Sequence, residues 1–340
     1  MMGLGSVVTA AVGFFSVFLL GYVMIPFLKR LKFGQTIRED GPKWHQSKEG
    51  TPTMGGIMIL FGLLLAVFIG VLYGYITGDK IKLELFNPVK TSRWIAGLGL
   101  AAAMGLIGLI DDYIKVVKKR NLGLTARQKT FAQLIVSAAY LIVLLFGGMT
   151  TTYIPFLGEV NILSGPGLVF WPIALFFVYG FTNAVNLTDG IDGLASSITL
   201  VVCCAFMVLA GIGSFYGANL LAAAGAGVCI GFVMWNAHPA KVFMGDTGSM
   251  LLGGLVVGLS FAVGKPILLM LAGIVYLLEA LSVILQVAHY KRTKKRIFKM
   301  TPIHHHFEMC GWSEEKIVFV FSFVTLIGCV LALLPVVLGW

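Results

Sequence analysis

Residues 94–120 read WIAGLGLAAAMGLIGLIDDYIKVVKKR: no charge from Trp94 to Ile110, then Asp111 and Asp112, then Lys115, Lys118, Lys119 and Arg120. An uncharged run of this length, coiled as a helix, nearly crosses the ~30 Å hydrocarbon core of a bilayer. A basic cluster directly after such a run marks the cytoplasmic side. Working outward, comparable runs centre on 4–27, 54–76, 94–110, 130–147, 168–185, 195–212, 218–235, 248–264, 266–289 and 316–338. Hydrophobic residues make up 58% of the 340 and charged residues 12%, against the ~25% charged residues of a soluble domain. The chain therefore reads as an all-α polytopic integral membrane protein of about ten transmembrane helices, a single transmembrane catalytic domain over 1–340. The first run is too long for a cleaved signal and is expected to be retained.

Charge sets the orientation. Lysines and arginines divide 20 to 5 between the two sets of connecting loops, and the richer set is expected to be cytoplasmic with both termini outside. The net charge of +10 follows from this flanking pattern and gives no reason to expect nucleic acid. Cys203, Cys204, Cys229 and Cys329 lie in apolar runs and Cys310 in a basic loop, so no disulfide framework is expected. The outer loop 147–167 has no basic residue and reads as a passive connection, and the cytoplasmic loops 28–53 and 290–315 are the places for structure outside the bilayer.

Five aspartates (111, 112, 189, 192 and 246) fall in breaks on the cytoplasmic side. Gathered carboxylates repel and are costly to desolvate, and a divalent cation with a phosphate-bearing substrate offsets that cost. Asp111 and Asp112 close a helix at its negative dipole end, where acids are unfavourable. They are either an interfacial pair neutralised by Lys115 and Lys118 or a general base or metal-proximal pair. In Asn186-Leu-Thr-Asp189-Gly-Ile-Asp192-Gly193, an acid could cap the next helix, or the glycine-spaced polar turn could recognise a nucleotide. In the string from Asn236 through Phe243 to Asp246-Thr-Gly-Ser249, Asp246 is either an N-cap or a Mg²⁺ ligand beside an anion-favouring helix start.

The segment Lys48-Glu-Gly-Thr51-Pro52-Thr53-Met-Gly-Gly56 sets a lysine and two hydroxyls at another helix start; a helix beginning at Thr53 is the ordinary alternative. Lys115 and Lys129 could grip a lipid phosphate or a phospholipid headgroup. His304, His305 and His306 suit phosphate or sugar binding, with a bare surface loop or a zinc site using Cys310 as alternatives. Glu279 is the only acid near the middle of a run, with Gln286 on the same face, and is open to a functional or a packing role.

The strings Asp111-Asp112-x-x-Lys115, Asn186-x-x-Asp189-Gly-x-Asp192-Gly-Leu, Phe243-Met-Gly-Asp246-Thr-Gly-Ser249, Pro302-x-His-His-His-Phe-Glu308 and Lys48-x-Gly-Thr-Pro-Thr-Met-Gly-Gly, in order over nearly the whole chain, resemble the phospho-MurNAc-pentapeptide translocases. These belong to the polyprenyl-phosphate N-acetylhexosamine-1-phosphate transferases. The resemblance implies transfer of phospho-MurNAc-pentapeptide from UDP-MurNAc-pentapeptide to undecaprenyl phosphate in a bacterial cell membrane, with UMP released and Mg²⁺ required. It also implies a homodimer. By similarity Asp246 ligates Mg²⁺, and Asp111 or Asp112 deprotonates or positions the lipid phosphate. Lys48, Asp189, Asp192, Asn236 and Phe243 line the nucleoside side, while His304 to His306 meet the phosphate or sugar end. The competing expectations are a sister GlcNAc-1-phosphate transferase and a cation-coupled transporter.

Overall fold

A computed structural model describes residues 3–31, 48–117 and 123–339. Helices α1 (Leu4–Arg30), α2 (Gly56–Thr77), the short α3 (Lys80–Glu84), α4 (Pro88–Val117) and α5 (Ala126–Phe146) come first. A two-stranded hairpin follows, β1 (Thr151–Ile154) and β2 (Gly158–Asn161). Then come α6 (Phe170–Thr188), α7 (Leu194–Ile212), α8 (Tyr216–Asn236), α9 (Gly245–Ala262), the short α10 (Leu269–Ala272), α11 (Ile274–Thr293), the short α12 (Ile303–Glu308) and α13 (Glu314–Val337). Ten of these are long and apolar enough to cross a membrane, and each matches one apolar run of the sequence. In hydrocarbon a helix satisfies every backbone group internally, which is why unbroken apolar runs take this form.

α8 and α9 form the enclosed centre, with α4 laid along α9, and α1 and α7 along α8. Lipid supplies little hydrophobic drive between helices, so close approach at small residues holds them. A methyl at Gly108 of α4 would stand 2.1 Å from the Asp246 carbonyl oxygen, and one at Gly56 of α2 would stand 2.1 Å from the Gly248 nitrogen. These two contacts pull α4 and α2 onto the first turn of α9. Caps fix other starts: Thr125 and Gln128 form a reciprocal capping box on α5, and Ser313 accepts from Lys316 N–H at 3.3 Å on α13. At the opposite end Glu84 accepts the Tyr216 and Gly217 N–H groups at 2.6 and 2.9 Å, tying α3 to the start of α8. Burial pushes the Glu84 carboxyl up, with those two N–H groups pulling the other way.

Four expectations are corrected. The 147–167 connection is not featureless, because it holds the β1–β2 hairpin, with Thr151 opposite Asn161 and a turn using Phe156 and Gly158 at positive φ. β-branched and aromatic residues in β1 favour this strand pair. The run 266–289 is interrupted: Leu271 presses its carbonyl against Gly328 of α13, and the chain turns at Gly273 before α11 begins. α2 begins at Gly56 rather than Thr53, because Pro52, Gly55 and Gly56 pair by backbone hydrogen bonds with Phe243 and Met244. Finally, Asp111 and Asp112 lie inside α4, which continues to Val117, so they are not in a break.

Candidate active site

The helix ends explain how two adjacent acids survive at the wrong end of α4. Asp112 accepts from Asp246 N–H at 3.1 Å, Thr247 N–H at 2.9 Å and Thr247 Oγ1 at 2.7 Å. It therefore caps the positive end of α9 from a neighbouring helix. Asp111 accepts Leu124 N–H at 2.7 Å, pairs with Lys115 Nζ at 2.7 Å one turn along, and also meets the Asp246 carboxylate. Lys118, the second expected neutraliser, lies outside the described residues.

Asp246 is the meeting point. Its Oδ2 pairs with Lys115 Nζ at 2.5 Å and Lys129 Nζ at 3.3 Å, and its Oδ1 accepts Asn186 Nδ2 at 2.7 Å. Asn186 Nδ2 also reaches Ser249 Oγ at 2.7 Å. Gly245, at φ +69°, lets the backbone pass this corner, since a Cβ there would strike Asp112 Oδ2 at 2.5 Å and Thr53 Oγ1 at 3.0 Å. Asp111, Asp112 and Asp246 each offer an oxygen within 4.8 Å of the others. An all-carboxylate donor set fits a hard divalent cation such as Mg²⁺.

A second cluster stands where α7, α8 and α13 converge. Lys48 Nζ bridges Asp192 Oδ1 at 2.7 Å and Glu314 Oε1 at 2.6 Å. Asp192 Oδ2 takes Ala240 N–H and His238 Nδ1, both at 3.0 Å, and Glu314 Oε2 accepts Asp192 N–H at 3.0 Å. Asp192 thus ties loops together instead of capping α7, whose N-cap is Gly193. Asn236 is equally committed, accepting Gly193 N–H at 3.0 Å and donating to the Val242 carbonyl at 2.9 Å. Phe243, half-buried, exchanges backbone hydrogen bonds with Pro52 and Gly55.

The three histidines part company. His304 is fully buried and shares its Nδ1 with Glu279 Oε1 at 3.1 Å; a Cβ at Gly190 would lie 2.1 Å from its Nε2. His305 contacts Glu308, and His306 accepts Lys299 N–H at 3.2 Å and lies 3.9 Å from Cys310 Sγ. Among the described residues no three ligand atoms of these histidines and Cys310 come within 4.8 Å of one another, so they do not make a ready zinc site. Gln286 accepts the Ile297 and Phe298 N–H groups, anchoring the basic loop. Asp189, next to Gly190, is half-buried and its side chain takes no hydrogen bond from a described residue. Burial first, then the negative charges of Asp246, Asp112 and Asp192, push its carboxyl up to about 8. Asp189 thus feels the negative charge of both clusters.

Residues 94–264 match the Glycosyl transferase family 4 model, and residues 48–60 match Phospho-N-acetylmuramoyl-pentapeptide-transferase signature 1. A phospho-N-acetylmuramoyl-pentapeptide-transferase of Heliobacterium modesticaldum is 46% identical over 330 residues, covering 96% of this chain and 95% of that protein. One from Bacillus thuringiensis is 42% identical over 339 residues, covering 100% and 99%. The chain belongs to the phospho-N-acetylmuramoyl-pentapeptide-transferase family. The family signature takes in Lys48 and Thr53, and the broader model takes in Asp111, Asp112, Asn186, Asp189, Asp192, Asn236 and Asp246. His304 and Glu314 lie beyond both matches, and the structure alone joins them to the rest. Glu314 and His238 were missed as site residues. Glu314 carried no signal beyond a helix-start acid, whereas His238 stood inside a motif already singled out.

Proposed function

We propose that the chain transfers phospho-MurNAc-pentapeptide from UDP-MurNAc-pentapeptide to undecaprenyl phosphate, forming lipid I and UMP in a bacterial cell membrane. The observation that carries this reading is the convergence of Asp111, Asp112 and Asp246 with Lys115, Lys129 and Asn186 at one end of a helical bundle. Phosphoryl transfer asks for positioning and charge neutralisation more than for covalent chemistry, and these groups supply both. The 20-to-5 charge division favours the cytoplasm for this end and the outer side for both termini. There the soluble nucleotide sugar and the lipid phosphate meet. The chain acts as one catalytic domain and works as a homodimer.

Asp246, with Asp111 and Asp112 beside it, would hold Mg²⁺. When bound, the ion supplies charge neutralisation for the diphosphate and the departing UMP. Asp111 is the better proton acceptor for the lipid phosphate, because Asp112 is committed to the start of α9. An oxygen of the lipid phosphate attacks the β-phosphorus, the bond to the UMP oxygen breaks, and UMP leaves. Lys115 and Lys129 hold the anions in register. Asp189, Asp192, Lys48, Asn236 and Phe243 shape the nucleoside side, with Thr53 at the corner of Asp112. His304 to His306 would serve the sugar end, His304 only through its neighbours because its ring is buried against Glu279.

Purified protein with undecaprenyl phosphate should release UMP from UDP-MurNAc-pentapeptide and not from UDP-GlcNAc. The reverse preference would assign the chain to the sister transferases. A transporter would be expected to keep acids free within its spans, but Glu279 is paired with His304.

A further inference from the structure

The end of the bundle opposite the carboxylates holds a second concentration of charge that the transferase reading does not use. Arg93 of α4 makes no hydrogen bond or ion pair with any described residue, and its Nε is buried without a partner. Its Nη1 lies 3.0 Å from where a Cβ on Gly264 would stand. The next residue, Lys265, holds its Nζ over the Tyr153 ring, 3.4 Å from the centroid, and pairs with no acid among the described residues; burial lowers its pKa from the usual lysine value. The hydroxyls of Tyr140 and Tyr153 are also buried, with no hydrogen-bond partner among the described residues, and Tyr140 is within electrostatic reach of Arg93. Tyr140 is only 4% exposed, so its orphaned hydroxyl is a cost that a ligand could relieve.

Glu159 on β2 is the acid nearest in charge to both cations, yet it is exposed and accepts from Thr151 Oγ1 at 3.3 Å instead of pairing with either. The remaining requirement at this point is for an anion with several acceptor oxygens. Guanidinium forks, ammonium groups and phenols are the donors that match a phosphate. Arg93 sits five residues inside the start of α4, about 8 Å along its axis. In a helix of membrane-spanning length the first turn and a half lies near the headgroup region.

We propose that Arg93, Lys265, Tyr140 and Tyr153 form a phosphate-binding site for the headgroup of a phospholipid in the leaflet opposite the catalytic cluster. The site is independent of the transferase reading. Glu159 marks its rim and weakens it by like charge.

Native mass spectrometry of detergent-purified protein titrated with phosphatidylglycerol tests this, with inorganic phosphate as a second probe. The wild type should hold one phosphatidylglycerol at least about tenfold more tightly than R93Q/K265Q, the loss of one charge-assisted hydrogen bond or more. E159Q should bind more tightly than the wild type. Unchanged UMP release by these variants checks that they remain folded. Equal protection by inorganic phosphate would keep the anion site and assign its occupant to solution. Equal phosphatidylglycerol binding by the double variant would overturn the site. If the double variant does not fold, E159Q decides: a lower melting temperature with no gain in lipid binding would make Glu159 the true partner of the cations and end the proposal.

Discussion

The two ionic clusters at the carboxylate end are built from the same residue types and held in opposite ways. Asp192 and Glu314 are fixed by backbone N–H groups and by Lys48, whose side chain is largely shielded. Asp246 is held mainly by Lys115 and Lys129 and takes no backbone N–H from a described residue; the Lys115 side chain is 35% exposed against 15% for Lys48. A carboxylate gripped by amides has no other partner to turn to, whereas one gripped by long ammonium side chains can exchange them for an incoming cation or phosphate. Matching acids thus divide into scaffold and reagent according to what holds them.

The largest expected effect is on the reagent side. Asp246→Asn should lower UMP release by on the order of 10³-fold, with a melting temperature near wild type. Near-normal turnover would erase the distinction between the clusters. Next come the adjacent acids. Asp112→Ala should cost about 2 kcal/mol in urea denaturation through loss of the α9 cap, and Asp111→Ala well under half of that, although both lose activity. Equal stability losses would show that Asp112 is not the committed one.

Lys48→Met should destabilise the fold by about 1–3 kcal/mol, because it strands Asp192 and Glu314. Lys115→Met should act chiefly on rate, read as UMP release against melting temperature. The smallest effect concerns Asp189. Its carboxyl titrates at about 8 in the fold against 3.8 ordinarily, so the folded state keeps a proton that the unfolded chain has lost between those values. The stability it contributes is present at low pH and fades as pH rises toward 8. Asp189→Asn should flatten that slope of melting temperature against pH; an unchanged slope would show that Asp189 does not feel the charge of the clusters.

Much of this was legible in the chain. Apolar runs announced all ten long helices, because burial in lipid demands uninterrupted hydrophobic stretches. The motifs around Asp111, Asn186 and Asp246 named the residues that meet. What stayed hidden depends on partners distant in sequence. No local signal tells Lys48 that its counter-ion is Glu314, or turns Asp112 into a cap for another helix. Glu279 looked evenly poised between function and packing until His304 was found against it. The turn at Gly273 and the hairpin at 151–161 arise from contacts with neighbouring segments, which local hydrophobicity does not record.

Gly56 and Gly108 leave no space between α2, α4 and the first turn of α9, so the aspartate floor shifts only as a block. In deuterium exchange the amides of Asp246 and Thr247, already bound to Asp112, should be among the slowest at this end. A small molecule aimed here would have to displace an ammonium group, because it cannot wedge the helices apart.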